Sequence, residues 1–265
     1  MIHVKTSKQV AVMREGGKIL SDVLWEVLGK VKPGITELEL DALAQKLITK
    51  RGAESGFMKV AGYHHTICTS VNDVVVHGVP TNTRLEEGDV IGIDCGVYYK
   101  GFHTDMSETV RVGIKNQEPA WRRGRSRIKK DKIDIFLEIG KKALEAGIAK
   151  ATIGNHVGDI SKAIQTIVEG QGGYSIVRSL VGHGVGRNLH EEPEIPGYLA
   201  GRKERTPRLE EGMTIAIEII YNMGKRDVVY SGQDGWTIST KDGSLSGVFE
   251  RTVVVTKKGP EILTP

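Results

Sequence analysis

Residues 84–94 read RLEEGDVIGID and residues 208–218 read RLEEGMTIAIE. A charged turn ending in Gly leads, at an offset of 124 residues, into the same alternating apolar stretch closing on a carboxylate, so Asp94 and Glu218 are counterparts. A strand alternates its side chains between faces. Ile91 and Ile93 therefore point one way, as do Ile215 and Ile217, while Asp94 and Glu218 fall on the opposite face with the small Gly92 and Ala216. Two halves related by a pseudo-twofold would bring the two acids together at a central seam. There they repel unless a cation lies between them.

The 265 residues could form one large domain or two small ones, and the duplicated stretch favours one domain, 1–265, built from two halves of approximately 1–115 and 131–265. A hydrophobic fraction of 39% and a net charge of +4 are ordinary for a globular chain and do not of themselves call for nucleic acid. Basic charge is concentrated in WRRGRSRIKK, residues 121–130, within a loop 116–130 that could touch an anionic surface or simply be solvated. Only Cys68 and Cys95 occur, with no CxxC pair, which argues for a reducing compartment and against a disulfide framework. No stretch has signal-peptide or transmembrane length. A cytoplasmic protein without membrane contact is expected.

Ser7 is placed to cap a first helix with Val10, Met13, Gly17, Leu20, Leu24 and Val27 on one face, stopping before Lys32, Pro33 and Gly34. Thr36 and Glu39 make a capping box for a second, striped by Leu40, Leu43, Leu47 and Ile48 and ended by Gly52. Short strands follow at Ile67–Ser70 and Val74–Val76, the latter running into His77. The strand ending at Asp94 continues through Tyr99, turns at Lys100 and Gly101, and returns through Phe102, His103, Thr104 and Asp105, a hairpin that brings Asp105 back beside Asp94. Helical periodicity returns from Ile133 to Leu144 and from Ile160 to Val168. GHGVGRNLHEEP at 182–193, DGWTIST at 234–240 and GVFERTVVVT at 247–256 then read as turns and strands. Two helices and then strands in each half give an α+β fold, an antiparallel-rich curved sheet covered by helices.

Asp94, Asp105, Glu218 and Glu250 share a half-buried strand context, with His183 and His190 in a glycine-rich turn. Taken singly, an acid at a strand end caps a turn or pairs with Arg, and a lone His packs. Four carboxylates converging without comparable Lys or Arg are hard to ionise in one cleft. Two divalent cations would neutralise them and accept their oxygens.

In NDVVVHGVP, IDCGVYYKGFHTD, GHGVGRNLHEEP, IAIE and FERTVVVT, in that order, the chain resembles the type I methionine aminopeptidases of the pita-bread metallopeptidase fold. The resemblance implies that Asp94, Asp105, His183, Glu218 and Glu250 are metal ligands, with Asp105 and Glu250 bridging two ions. It places His77 and His190 beside the scissile bond, and Tyr63, Cys68 and Trp236 around the substrate methionine, although simple packing accounts equally for Cys68 and Trp236. By the same likeness Glu218 is catalytic as well as a ligand, relaying the proton of an attacking water, while His77 and His190 hydrogen-bond the reacting amide. One His among carboxylates suits first-row divalent ions, Co, Mn, Fe or Zn. His103 is expected behind the ligands or in the turn. Arg251, Ile219 and Leu189 depart from the family's common His, Pro and aromatic residue, so second-residue or pocket preference is open.

The activity implied is removal of the initiator methionine from the N-terminus of nascent polypeptides before a small second residue, by a monomer with a ribosome contact through the basic loop. Two alternatives stand beside it. One is an Xaa-Pro peptidase of the same fold, which usually carries a further N-terminal domain. The other is a non-catalytic pita-bread protein that binds RNA or protein, for which losing ligands would be usual.

Overall fold

The computed structural model describes residues 2–113 and 131–265. The basic loop 116–130 and the docking expectation attached to it lie outside the described residues. Helix α1 spans Ser7–Leu28 and α2 Glu37–Lys50. Strands β1 Glu54–Ser55, β2 Ile67–Val71, β3 Val74–Val76, β4 Val90–Tyr99 and β5 Phe102–Arg111 complete the first part. After the loop come α3 Lys132–Ile148, α4 Val157–Gln165, β6 Ser175–Ile176, β7 Gly182–Gly184, β8 Glu191–Ile195, β9 Thr214–Asn222, β10 Val228–Tyr230, β11 Ile238–Thr240, β12 Ser246–Thr256 and β13 Gly259–Ile262.

The caps explain the helix starts. Thr36 and Glu39 form the expected reciprocal box on α2, and Gly52 sits at φ +71°, the left-handed backbone a helix exit uses. At α1 the cap is one residue earlier than expected. Thr6 accepts the Gln9 N–H and the Gln9 side chain returns to the Thr6 N–H, so Ser7 is the first helical residue rather than the cap. The Thr-x-x-Gln spacing outcompetes Ser7, whose third neighbour, Val10, cannot close a box.

Every pairing among the described strands is antiparallel. The main sheet runs β1-β4-β5-β12-β9-β7-β8, with β2 on β4, β6 on β9 and β13 on β12. One face is covered by helices: Ile91, Ile93, Cys95 and Val97 pack with α1 and α2, and Ile215, Ile217, Ile219 and Phe249 with α3 and α4. That is the alternation expected of the two RLEEG strands. The opposite face is partly covered by a small sheet, β10-β11-β3, whose Val75, Val76 and Ile238 pack on Ile220 and Val248. The remainder of that face is a cleft, and the acids lie on it.

Candidate metal centre

The centre is assembled by register. In the β4–β5 hairpin, which turns through Lys100 at φ +46° and Gly101 at φ +90°, Asp94 pairs with Ser107 and Asp105 with Gly96. Asp105 thus returns one diagonal step from Asp94 rather than directly opposite, because a two-residue turn sets the register. Glu250 of β12 stands across from Ser107 on one side and from Glu218 on the other. His183 of β7 pairs with Ala216, one place along its own face from Glu218. Ligand atoms of Asp105, His183 and Glu250 lie within 4.8 Å of one another. His183 Nε2 is 3.2 Å from Glu218 Oε1 and 4.0 Å from Asp105 Oδ2.

Like charges on directly paired residues repel, and burial removes the water that would screen them. Burial, then Glu218, pushes the Asp94 pKa up to about 8. Burial, then Asp94 and Glu218, holds Asp105 well above the carboxylate range, and burial, then Asp105, does the same to Glu250. Burial opposes charge on His183 as well, but hydrogen bonding to Glu218 and its negative charge outweigh that, and its pKa is raised. Its Nδ1 lies 2.9 Å from the Gly184 carbonyl, which fixes the tautomer and leaves Nε2 facing the acids.

Two buried oxygens, Asp94 Oδ1 and Glu250 Oε1, have no hydrogen-bond partner among the described residues. Buried polar atoms are ordinarily paired. Orphaned carboxylate oxygens beside one oriented imidazole are what a divalent cation requires of its ligands, so the residues fit a metal.

His77 follows β3 with φ +57°, a left-handed backbone that costs energy for a residue with a side chain. Burial lowers its pKa, with Glu218 opposing. His190 packs edge-on to His183, ring centroids 4.3 Å apart, with its other side open to solvent. Loss of solvent on the inner side, then His183, holds its pKa below the usual imidazole value. Both rings are therefore neutral near pH 7.

Tyr63, Cys68 and Trp236 come together in one apolar cluster, with Tyr63 edge-on to Trp236 at 5.2 Å. Sequence reasoning missed one of its walls, Phe57, while Leu189, singled out there as a departure bearing on the pocket, forms another. Gly96 makes room for them: a Cβ there would lie 2.7 Å from the Phe57 ring. His103 is in β5 rather than the turn, 6% exposed, with its ring 4.8 Å from Tyr98.

Glu108 and Thr252 were also missed. Glu108 shares its face with Met106 and Val110, so an acid in the apolar register of β5 was the available signal. Arg251 donates to it at 2.7 Å and to the Ser107 and Glu250 carbonyls, and Lys141 reaches it at 2.8 Å. Thr252 takes the place of a ladder bond. Its hydroxyl accepts the Asp105 N–H at 2.9 Å and donates to the Asp105 carbonyl at 2.8 Å.

A profile of metallopeptidase family M24 matches residues 11–257. The chain is 42% identical to a methionine aminopeptidase of Clostridium perfringens, covering 100% of this chain and 99% of the relative. It is 40% identical to methionine aminopeptidase 1 of Bacillus subtilis, with the same coverage. Among solved structures, the methionine aminopeptidase of Thermotoga maritima superposes with a TM-score of 0.90 at 35% identity, over 100% of this chain and 99% of that one.

Proposed function

The chain belongs to metallopeptidase family M24, and from that premise we infer that it hydrolyses the first peptide bond of polypeptides beginning with methionine. The observation that carries the reading is the convergence of Asp94, Asp105, His183, Glu218 and Glu250 on one cleft face with unpaired carboxylate oxygens. These five would hold two divalent ions, Mn, Fe, Co or Zn, with Asp105 and Glu250 shared between them. When bound, such a pair acidifies a water, anchors the substrate amine and polarises the scissile carbonyl.

The chain's own groups do the rest. Glu218, beside His183, takes the proton of the attacking water and delivers it to the leaving amine. His190 and His77, neutral at pH 7, each offer a ring N–H, to the carbonyl oxygen as it gains charge and to the amide of the second residue. The cluster of Tyr63, Cys68, Trp236, Phe57 and Leu189 receives the methionine side chain, thioether against aromatic faces. The cleft between His77 and His190 admits a small second residue. The chain is read as one domain of two related halves, supported by the repeated order of two helices before paired strands.

Among the described residues no helix is long and apolar enough to cross a membrane. A monomer in the cytoplasm, acting on nascent chains, accords with two free buried cysteines. Ribosome contact through 116–130 remains part of the proposal.

The decisive assay offers Met-Ala-Ser, Met-Leu-Ser and Ala-Pro peptides to chelator-treated protein with Mn, Fe, Co or Zn restored one at a time. Metal-dependent cleavage of Met-Ala-Ser, far faster than Met-Leu-Ser, is expected. Preference for Ala-Pro would move the activity to the Xaa-Pro peptidases. No cleavage with any ion would favour a binding role.

A further inference from the structure

The segment preceding α1 buries a lysine. Lys5 is 7% exposed, and its ammonium donates to Glu191 Oε2 at 2.6 Å and to the His3 carbonyl at 2.9 Å. Its backbone is held as well: the Lys5 N–H donates to the Gly212 carbonyl, and Val4 bridges Met213, at the entry to β9. Glu191 is the residue after His190, and its other oxygen, Oε1, accepts the Asn188 N–H at 3.1 Å. Gly186 leaves the passage for the lysine, since a Cβ there would lie 2.7 Å from Lys5 Nζ.

Burying an ion pair costs desolvation that its Coulomb attraction seldom more than offsets, whereas an apolar pair of the same volume carries no such cost. Stability alone is thus a poor reason for Lys5 and Glu191. Their placement supplies a better one. Residues 187, 188 and 190 are exposed, so His190 rides on a surface turn held from below by Leu189 in the apolar cluster and by the ring of His183. Glu191 ties that turn to itself through Asn188, and Lys5 ties Glu191 to the lead-in of the strand that carries Glu218.

On the basis of the proposed role of His190, we infer that Lys5 is a positioning residue for the reaction, holding His190 at its working distance through the buried Glu191 carboxylate. The pair fixes the spacing between the ring that meets the carbonyl and the strand that supplies the proton-relaying carboxylate. A displacement of about 1 Å in such a group costs up to about a hundredfold in rate.

The test is a double-mutant cycle on the full chain with Mn restored, reading kcat and KM on Met-Ala-Ser and metal content by mass spectrometry. Lys5→Met, which keeps the aliphatic stem, should lower kcat about ten- to a hundredfold with KM and metal content little changed. In a His190→Ala background the same change should cost nothing further. An equal loss in both backgrounds, a loss of metal, or an unchanged kcat overturns the inference. If Lys5→Met does not fold, Glu191→Gln must give this pattern, and failure of both to fold reduces the pair to a structural role and ends the proposal.

A second readout is independent of peptide cleavage. The 15N resonances of the His190 ring should shift in Lys5→Met and not in the control Lys18→Met, whose lysine is on an exposed face of α1. Unshifted resonances overturn the clamp even in an active enzyme. Shifted resonances in a protein that cleaves no methionyl peptide would uphold the clamp and sink the functional reading instead.

Discussion

Strands β5 and β12 together place buried carboxylates on both faces of the sheet, and the two faces treat them oppositely. On the helix side Glu108, 2% exposed, is met by Arg251 from the neighbouring strand and Lys141 from α3. Burial by itself would raise its pKa, but the two cations, Arg251 first, bring it below the usual range. On the cleft side Asp105 and Glu250 are buried as deeply, and the charges that act on them most are further acids, which Arg251 offsets only in part at Glu250. Glu250 and Arg251 are adjacent in sequence, yet alternation sends the guanidinium to the other face. The fold has the means to compensate a buried carboxylate with its own cations and does so one residue away. Where it does not, the acids are left to hold protons or to take a cation from outside the chain, and that marks the site.

Four experiments bear on the contrast. The largest effect is expected from Glu250→Gln, which should empty the cleft of metal and lower kcat/KM by about a thousandfold or more. After chelation the same variant should melt above wild type, because one of the mutually repelling acids is gone. A metal-replete Glu250→Gln would show that the cleft face does not depend on that charge. Next in size, Arg251→Met should destabilise the fold by about 3 kcal/mol, since it leaves buried Glu108 with Lys141 as its remaining cation, while metal content stays at the wild-type level. Thermal melts beside metal analysis would reverse the argument if the cleft, not the fold, suffered.

The third experiment uses pH. Asp94 has a folded pKa of about 8, so the metal-free folded state keeps a proton that the unfolded chain releases above about pH 4. In chelator-treated protein this group's contribution to stability should be full below about pH 4 and decline as pH rises toward 8, by at most about 1.4 kcal/mol per pH unit for each such proton. Glu108, with its lowered pKa, contributes the opposite slope, present above the unfolded value and lost on acidification. Urea melts at pH 5 and pH 8 should therefore show a metal-free protein weaker at pH 8, and restored metal should abolish the difference. The smallest effect is expected from Thr252→Val. It removes the hydroxyl that serves both backbone groups of Asp105 and should cost about 1 kcal/mol in urea unfolding. No change would mean that the strand pairing holds Asp105 unaided.

The cleft face was legible in the sequence because it is written in local patterns. Period-two alternation placed Asp94 and Glu218 opposite Ile93 and Ile217, and a Lys-Gly turn implied the hairpin that returns Asp105. The helix face was legible only in its apolar part. Arg251 read as a departure from a family pattern because its partner is Glu108, 143 positions away, and no local rule joins the two. Lys5 carries no signal of its own in the sequence for the same reason. Its burial follows from a glycine at 186 and a carboxylate at 191, which only the folded chain brings to it. Phe57 resembles an ordinary core residue in sequence, and its place beside the site is set by the missing side chain at Gly96.

The direct pairing of Glu250 with Glu218 has a consequence for how the chain finds its fold. Sliding β12 by one residue along β9 would bring Arg251 opposite Glu218 and turn Glu250 to the other face, replacing a repulsion with an attraction. At that one pair charge favours the slip, although it also takes Arg251 away from Glu108 on the helix face. What rules it out is that a one-residue slip turns every side chain over, carrying Phe249, Val253 and Val255 from the packing under α3 and α4 into the cleft. Collapse of β12 onto those helices therefore selects the register against the repulsion of that one pair. A polar residue at Phe249 would weaken that selection and populate an offset sheet that traps chains short of the native one.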